Sequence, residues 1–314
     1  MTLKGVVVMT LRVMVTVALL ALILQMVGAE GVLERFEQAN PVLLVLAFAV
    51  SVVQLLVVVW RWQVVIKLLS GIAVGLVPLT LGMGRSMLLS QPLPSTVGGD
   101  VVRVLLLSPR LGLAMATRSV VCDRVLGLAA LAALVAAILP FFAYRVDGGI
   151  AFAAVAGASI AGLVAAGILI ATPRIVLRAP LVGRYAATLG TDFRMVLTAG
   201  GRSVLSVGLA VSNHLLGVAV TYLLAQAVNA PLAPLTCLLI VLPALLISSI
   251  PISLGGWGVR EGALAAGFAL VGGDVSGAVA VSVLLGLLNP VMGAAVELIV
   301  PLAVRCVDLA RRRA

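Results

Sequence analysis

The sequence predicts an all-α polytopic membrane protein, with about six full transmembrane helices and two re-entrant broken hairpins entering from opposite faces as an inverted repeat. Three observations predict it. Of 314 residues, 63% are hydrophobic and 10% charged, and the mean hydropathy is +1.28, outside the usual range of a soluble domain. The apolar runs are long and continuous, which suits helices of about 20 residues rather than membrane-barrel strands of about 10. Finally, PSTVGGDVVR at 94–103 returns as PISLGGWGVR at 251–260, with Pro, Gly-Gly, Val and Arg in the same places.

The elements follow in chain order within one membrane domain, 1–314. Apolar segments near 10–28, 41–59, 119–141, 150–172, 203–227 and 275–300 each have the length a bilayer requires. Between them lie 64–115, interrupted by Pro78, Pro92 and Pro94, and 232–271, interrupted by Pro243 and Pro251. Neither reads as one clean span. The repeats then cover approximately 41–141 and 203–300. Cys122, Cys237 and Cys306 are scattered without metal or redox spacing and read as structural, and no cofactor is expected.

Loop charge orients the chain. Lys4 and Arg12 precede the first span, Glu30, Glu34 and Glu37 surround Arg35 after it, and Arg61, Lys67, Arg85, Arg103, Arg110 and Arg118 follow the second. Arginines return between 173 and 202 and again at 311–313. Both termini are therefore expected in the cytoplasm, in a cell (inner) membrane. Residues 1–29 also resemble a signal peptide ending Val27-Gly28-Ala29, although a retained first helix is the expectation.

The repeated stretch has readable chemistry. Proline stops the preceding helix, Gly98-Gly99 and Gly255-Gly256 let the backbone turn and approach a ligand, and a new helix then presents its free N–H groups. Arg103 and Arg260 add a charged fork suited to phosphate. The copies differ at Asp100 against Trp257 and at Val104 against Glu261. Asp100 reads equally as a helix cap or a functional group. Glu261 beside Arg260 reads as part of a pathway, since an ionisable group inside a bilayer costs about 2.5–3.5 kcal/mol on insertion scales. Its alternative is a neutral pair that holds the hairpin together.

Other groups read more structurally. Asp123 and Arg124 stand at the start of the 119–141 segment, as cap and interfacial anchor. His214 reads as a packing histidine rather than a proton shuttle. Trp60 and Trp62 flank Arg61 as an interfacial belt. GASIAGLVAAG at 157–167 reads as close helix packing, and 181–199 as a segment lying on the cytoplasmic surface. Asn289 and Glu297 are left open. The formal charge of +10 points to anionic lipid headgroups, not nucleic acid, for which no base-stacking platform exists.

PSTVGGDVVRVLLL, CDRVLGL and PISLGGWGVREGAL together resemble the membrane region of lysylphosphatidylglycerol synthases, the multiple peptide resistance factor family, and its stand-alone flippase-like relatives. The resemblance spans nearly the whole chain, and PxxxGGxGVREG is its most specific element. It implies a membrane part that moves an aminoacylated phospholipid between leaflets while a separate soluble domain makes that lipid, a domain without counterpart in these residues. Arg260 and Glu261 match the family's Arg-Glu pair, and Asp123 and Arg124 its acid-Arg pair. The lipid itself does not carry over, since stand-alone relatives are associated with glycolipid, polyprenyl and hopanoid pathways.

The expected function is thus movement of an anionic or phosphate-containing lipid between leaflets, with headgroup ligands Gly98, Gly99, Asp100, Arg103, Asp123, Arg124, Gly255, Gly256, Arg260 and Glu261. Both arginines are expected to face one cavity. The alternatives are a membrane-embedded lipid-modifying enzyme with Asp100, Asp123 or Glu261 as base, and a non-transporting partner of such an enzyme. The oligomeric state is open.

Overall fold

The computed structural model describes residues 14, 16–23, 25, 28–90, 98–145, 149–175, 181–249 and 256–313. Among these residues every regular element is helical. After helical turns at 16–23 come α1 (Ala29–Glu37), α2 (Pro41–Ser70), α3 (Leu76–Ser90), α4 (Gly98–Leu111), α5 (Leu113–Arg145) and α6 (Gly149–Ile175). They are followed by α7 (Leu181–Thr198), α8 (Gly201–Ala227), α9 (Pro234–Ser248), α10 (Val259–Leu270) and α11 (Val275–Arg313).

Among the described residues, four helices are long and apolar enough to cross a bilayer: α2, α5 as far as Phe141, α8, and α11 as far as Cys306. Their outward side chains are large and apolar, with Val42, Val204 and Leu298 each more than 60% exposed. Lipid is the solvent that such a surface fits, so the chain is a polytopic helical membrane protein. Part of the expected first span, 10–28, lies outside the described residues; where it is described, Leu19 and Ile23 pack against Gly258 and Gly262 of the α10 region.

The boundaries have local causes. Asn40 Oδ1 accepts from the Val42 and Leu43 amides at 3.0 and 3.3 Å, and Pro41 needs no partner in the first turn. The helix then runs unbroken until Gly71, whose φ of 71° supplies the left-handed exit. It therefore does not end near 59, as the sequence suggested. Trp60, Arg61 and Trp62 lie within it; Trp60 faces outward, but Arg61 and Trp62 are buried and form no interfacial belt.

The two interrupted regions are pairs of short helices. Helices α3 and α4 have 15 and 14 residues, and α9 and α10 have 15 and 12. Each is about 18–22 Å long, short of the roughly 30 Å hydrocarbon core. The connections at 91–97 and 250–255, and with them Pro92, Pro94, Pro251 and Gly255, lie outside the described residues.

Packing pairs the halves element by element. In the first, α2 contacts α3, α3 contacts α4, and α4 contacts α5; in the second, α8 contacts α9, α9 contacts α10, and α10 contacts α11. Across the halves, α3 lies on α11 and α9 lies on α5. Among the described residues, helices α2 and α8 pack on each other more extensively than any other pair, and they run antiparallel. The Asn40 amide donates to the Ala227 carbonyl at 2.9 Å, and Gln54 Nε2 to the Asn213 carbonyl at 3.0 Å.

One crossing is tight enough to require missing side chains. A Cβ at Gly293 on α11 would stand 2.7 Å from the Gly84 carbonyl oxygen on α3, and one at Gly84 would meet Val296 at 2.5 Å. Small residues let helix backbones approach in this way. The 157–167 run does this only in part: a Cβ on Gly162 would meet Ala132 at 3.1 Å, while Gly157 and Gly167 face open space. The 181–199 segment is α7, with Phe193 and Val196 buried and Arg118 holding Asp192 bidentately.

Candidate functional site

The first copy of the repeated stretch ends in a buried chain of charges. Gly98 and Gly99 open α4 and are buried; a Cβ on Gly99 would lie 2.6 Å from Ser86 Oγ, so glycine lets α4 press against α3. One turn later Arg103 points away from the hairpin toward α5. Its Nη2 donates to Asp123 Oδ2 at 2.9 Å, while Arg61 Nε of α2 donates to Asp123 Oδ1 at 2.8 Å. Arg103 Nη1 also reaches Asp100 Oδ1 at 3.3 Å, and Arg124 holds the other Asp100 oxygen. The Arg103 guanidinium lies 4.1 Å from the centroid of the Trp62 ring.

Five charged groups from three helices thus alternate Arg61, Asp123, Arg103, Asp100, Arg124. Asp123 is 1% exposed and sits well inside α5, which begins at Leu113, so it caps nothing. Asp100 likewise spends its carboxylate on two arginines. Breaking a buried pair strands a charge, which makes the chain a clasp holding the first hairpin to α2 and α5.

The second copy is closed more locally. Gly256 and Gly258 both have positive φ, 83° and 84°, and carry the chain into α10. Glu261, fully buried, accepts from the Gly258 amide at 2.5 Å and so caps the start of α10 from its third position; Gly258 has no side chain to return the bond. The other Glu261 oxygen accepts from Arg260 Nη2 and Ser282 Oγ, both at 2.8 Å, and Arg260 Nε donates to Ser282 Oγ at 2.9 Å. Arg260 also stacks at 4.9 Å on Trp257. Glu261 therefore occupies the start of α10 and positions Arg260, rather than leaving the helix end open to an anion.

Space for that stack comes from Gly286 on α11. A Cβ there would lie 2.5 Å from Arg260 Nη2 and 2.6 Å from the Trp257 ring.

A cavity of about 370 Å³ lies between α2, α8 and α11. Ser51 and Gln54 of α2, Asn213, His214 and Thr221 of α8, Ser249 after α9, and Asn289 of α11 supply polar groups. Leu55, Val58, Leu131, Leu245 and Met292 supply apolar walls. Arg260 is the only charged residue among the described residues of this lining. His214 Nε2 is 2.9 Å from the Gly127 carbonyl, a contact that fixes the ring.

Arg103 is elsewhere. It lines a smaller pocket of about 160 Å³ with Trp62, Arg85 and Arg110. The expectation that both arginines face one cavity is therefore corrected: the Asp123 clasp turns Arg103 aside, while the second hairpin lacks an equivalent acid on the following long helix, where Ser282 stands instead. The structure brings Asp100, Arg103, Asp123 and Arg124 together and joins Arg260 to Glu261 and Gly256, but it keeps the two groups apart; Gly255 lies outside the described residues.

Sequence reading missed Arg61, Gln54, Asn213, Ser282 and Gly286 as site residues. Arg61 had been counted with loop charges, and only its place between two tryptophans inside an apolar run signalled burial. Among the described residues, no three of His, Cys, Asp and Glu converge as metal ligands would.

A family model described as the lysylphosphatidylglycerol synthase TM region matches residues 9–296 of this chain. Comparison with curated proteins and with solved structures gave no match.

Proposed function

The chain belongs to the lysylphosphatidylglycerol synthase TM-region family, and from that premise we propose that it moves a phosphate-bearing lipid between leaflets, with the headgroup in the cavity between the halves. The observation that carries this reading is the cavity's lining. Arg260, whose guanidinium Glu261 and Ser282 hold in place, borders a space otherwise lined, among the described residues, by amides, an imidazole, hydroxyls and apolar side chains. That combination fits one anionic group joined to a polar but uncharged headgroup.

The matched packing of the halves and the antiparallel α2–α8 pair support the inverted-repeat reading, with an axis in the membrane plane. Cavities at such interfaces can open alternately to either side by rocking one half on the other. With cytoplasmic termini in an inner membrane, an anionic lipid moving outward travels with an inside-negative potential, worth about 2.3 kcal/mol per charge per 100 mV. Acyl chains remain in the bilayer while the headgroup crosses.

Photo-crosslinking with an anionic lipid bearing a photoactivatable headgroup tests the location. Adducts should map to Gln54, Asn289 or Met292 and fall sharply in Arg260→Ala. Adducts confined to lipid-facing positions such as Val42 and Val204, and unchanged by Arg260→Ala, would remove the cavity from the account.

A further inference from the structure

We infer that the pocket beside the first hairpin is a second anion-binding site, which takes a phosphate or phosphodiester group and is separate from the central cavity. It lies along α3 and α4 against α2, and Arg85, Arg103 and Arg110 line it with no carboxylate in the lining. The acids that pair with Arg85 and Arg103, namely Glu297, Asp100 and Asp123, stand outside that lining.

A second observation points the same way. Two residues of this lining hold buried nitrogens without a hydrogen-bond partner among the described residues, Nε of Arg103 and Nε1 of Trp62. Buried N–H groups are almost always satisfied, so two orphans in one wall mark a place where an acceptor belongs. The surrounding acids do not meet that need. Asp100 and Asp123 take the terminal nitrogens of Arg103, and Glu297 takes Arg85 Nε at 3.0 Å.

The remaining capacity faces an incoming anion. Arg85 is 46% exposed in its side chain, and Arg110 is exposed and has no ion pair among the described residues. Arg103 and Arg110 are two helical turns apart on α4, about 10 Å along its axis. Long arginine side chains converge over that distance, and their forks match phosphate oxygens. This pocket and the central cavity share no lining residue, so the sites are distinct. The inference holds whether or not the chain transports.

A lipid phosphodiester and free inorganic phosphate share the chemistry, and two arms separate them. The full chain is placed in phosphatidylcholine nanodiscs and titrated with inorganic phosphate by calorimetry; in parallel, retention of phosphatidylglycerol over phosphatidylcholine is measured by native mass spectrometry. Arg85→Gln with Arg110→Gln changes only exposed side chains, and its unfolding midpoint is checked against the parent. Response in either arm, weakened about tenfold in this double variant, supports the site and names its source; tenfold corresponds to loss of one charge-assisted hydrogen bond. Arg260→Gln should leave that response within about twofold, while affecting crosslinks in the central cavity. No response in either arm, or equal affinity in the folded double variant and the parent, would overturn the inference.

Discussion

Replacing Asp123 by asparagine should release the first hairpin from its neighbours. Each Asp123 oxygen takes one guanidinium, at 2.8 and 2.9 Å, and the side chains of Asp123, Arg61 and Arg103 are 1%, 6% and 7% exposed. The amide keeps the shape but offers one acceptor oxygen, and it turns an N–H pair toward the other arginine. Stranding buried charge in this way costs about 3–5 kcal/mol. At roughly 2–4 °C per kcal/mol, the apparent thermal midpoint should fall by about 10 °C. Asp100→Asn provides the internal comparison: Asp100 is 15% exposed, its contact with buried Arg103 is the longer one at 3.3 Å, and its other partner Arg124 is 35% exposed, so the loss should be clearly smaller than for Asp123→Asn. Both proteins are purified in the same detergent and melted with tryptophan emission as the signal. Equal shifts for the two variants, or a fall of less than about 2 °C for Asp123→Asn, would refute the clasp.

Two further substitutions separate function from stability. Gly286→Ala places a methyl group where Arg260 Nη2 and the Trp257 ring now lie; alanine is the better helix former by about 1 kcal/mol, so headgroup crosslinking should drop while the melting midpoint stays close to the parent's. Gly293→Ala meets the Gly84 carbonyl, which is backbone and cannot swing aside; the α3–α11 crossing should loosen at a cost of about 1–3 kcal/mol, visible as a lower midpoint and as faster amide exchange in α3.

The membrane class, the long helices and the two interrupted pairs were legible in sequence because each depends on runs of apolar residues and on proline. The repeat stretch picked out two arginines that the structure places in the linings of two separate pockets. What it did not contain was where they point, since that depends on contacts twenty or more residues away. Asp123 lies 20 residues beyond Arg103 and recruits it; Ser282 stands 22 beyond Arg260 and is neutral, so Arg260 stays at the cavity. Glu261 illustrates the same limit. Its charge inside an apolar chain drew attention to function, whereas its position three residues after Gly258 makes it a cap. Arg61 was misplaced because the helix carrying it continues to Ser70, where Gly71 rather than the tryptophan pair ends it.

The central claim is that the cavity holding Arg260 carries a phosphate-bearing headgroup across the bilayer, and a leaflet-accessibility assay in proteoliposomes tests it most directly. Headgroup-labelled anionic lipid is incorporated with native protein or Arg260→Ala, and the label exposed on the outer face is followed with time. Label should redistribute with native protein and at least about tenfold more slowly with Arg260→Ala, the loss of one charge-assisted contact. Folded native protein that moves none of the anionic lipids, or that moves them no faster than Arg260→Ala does, would contradict it.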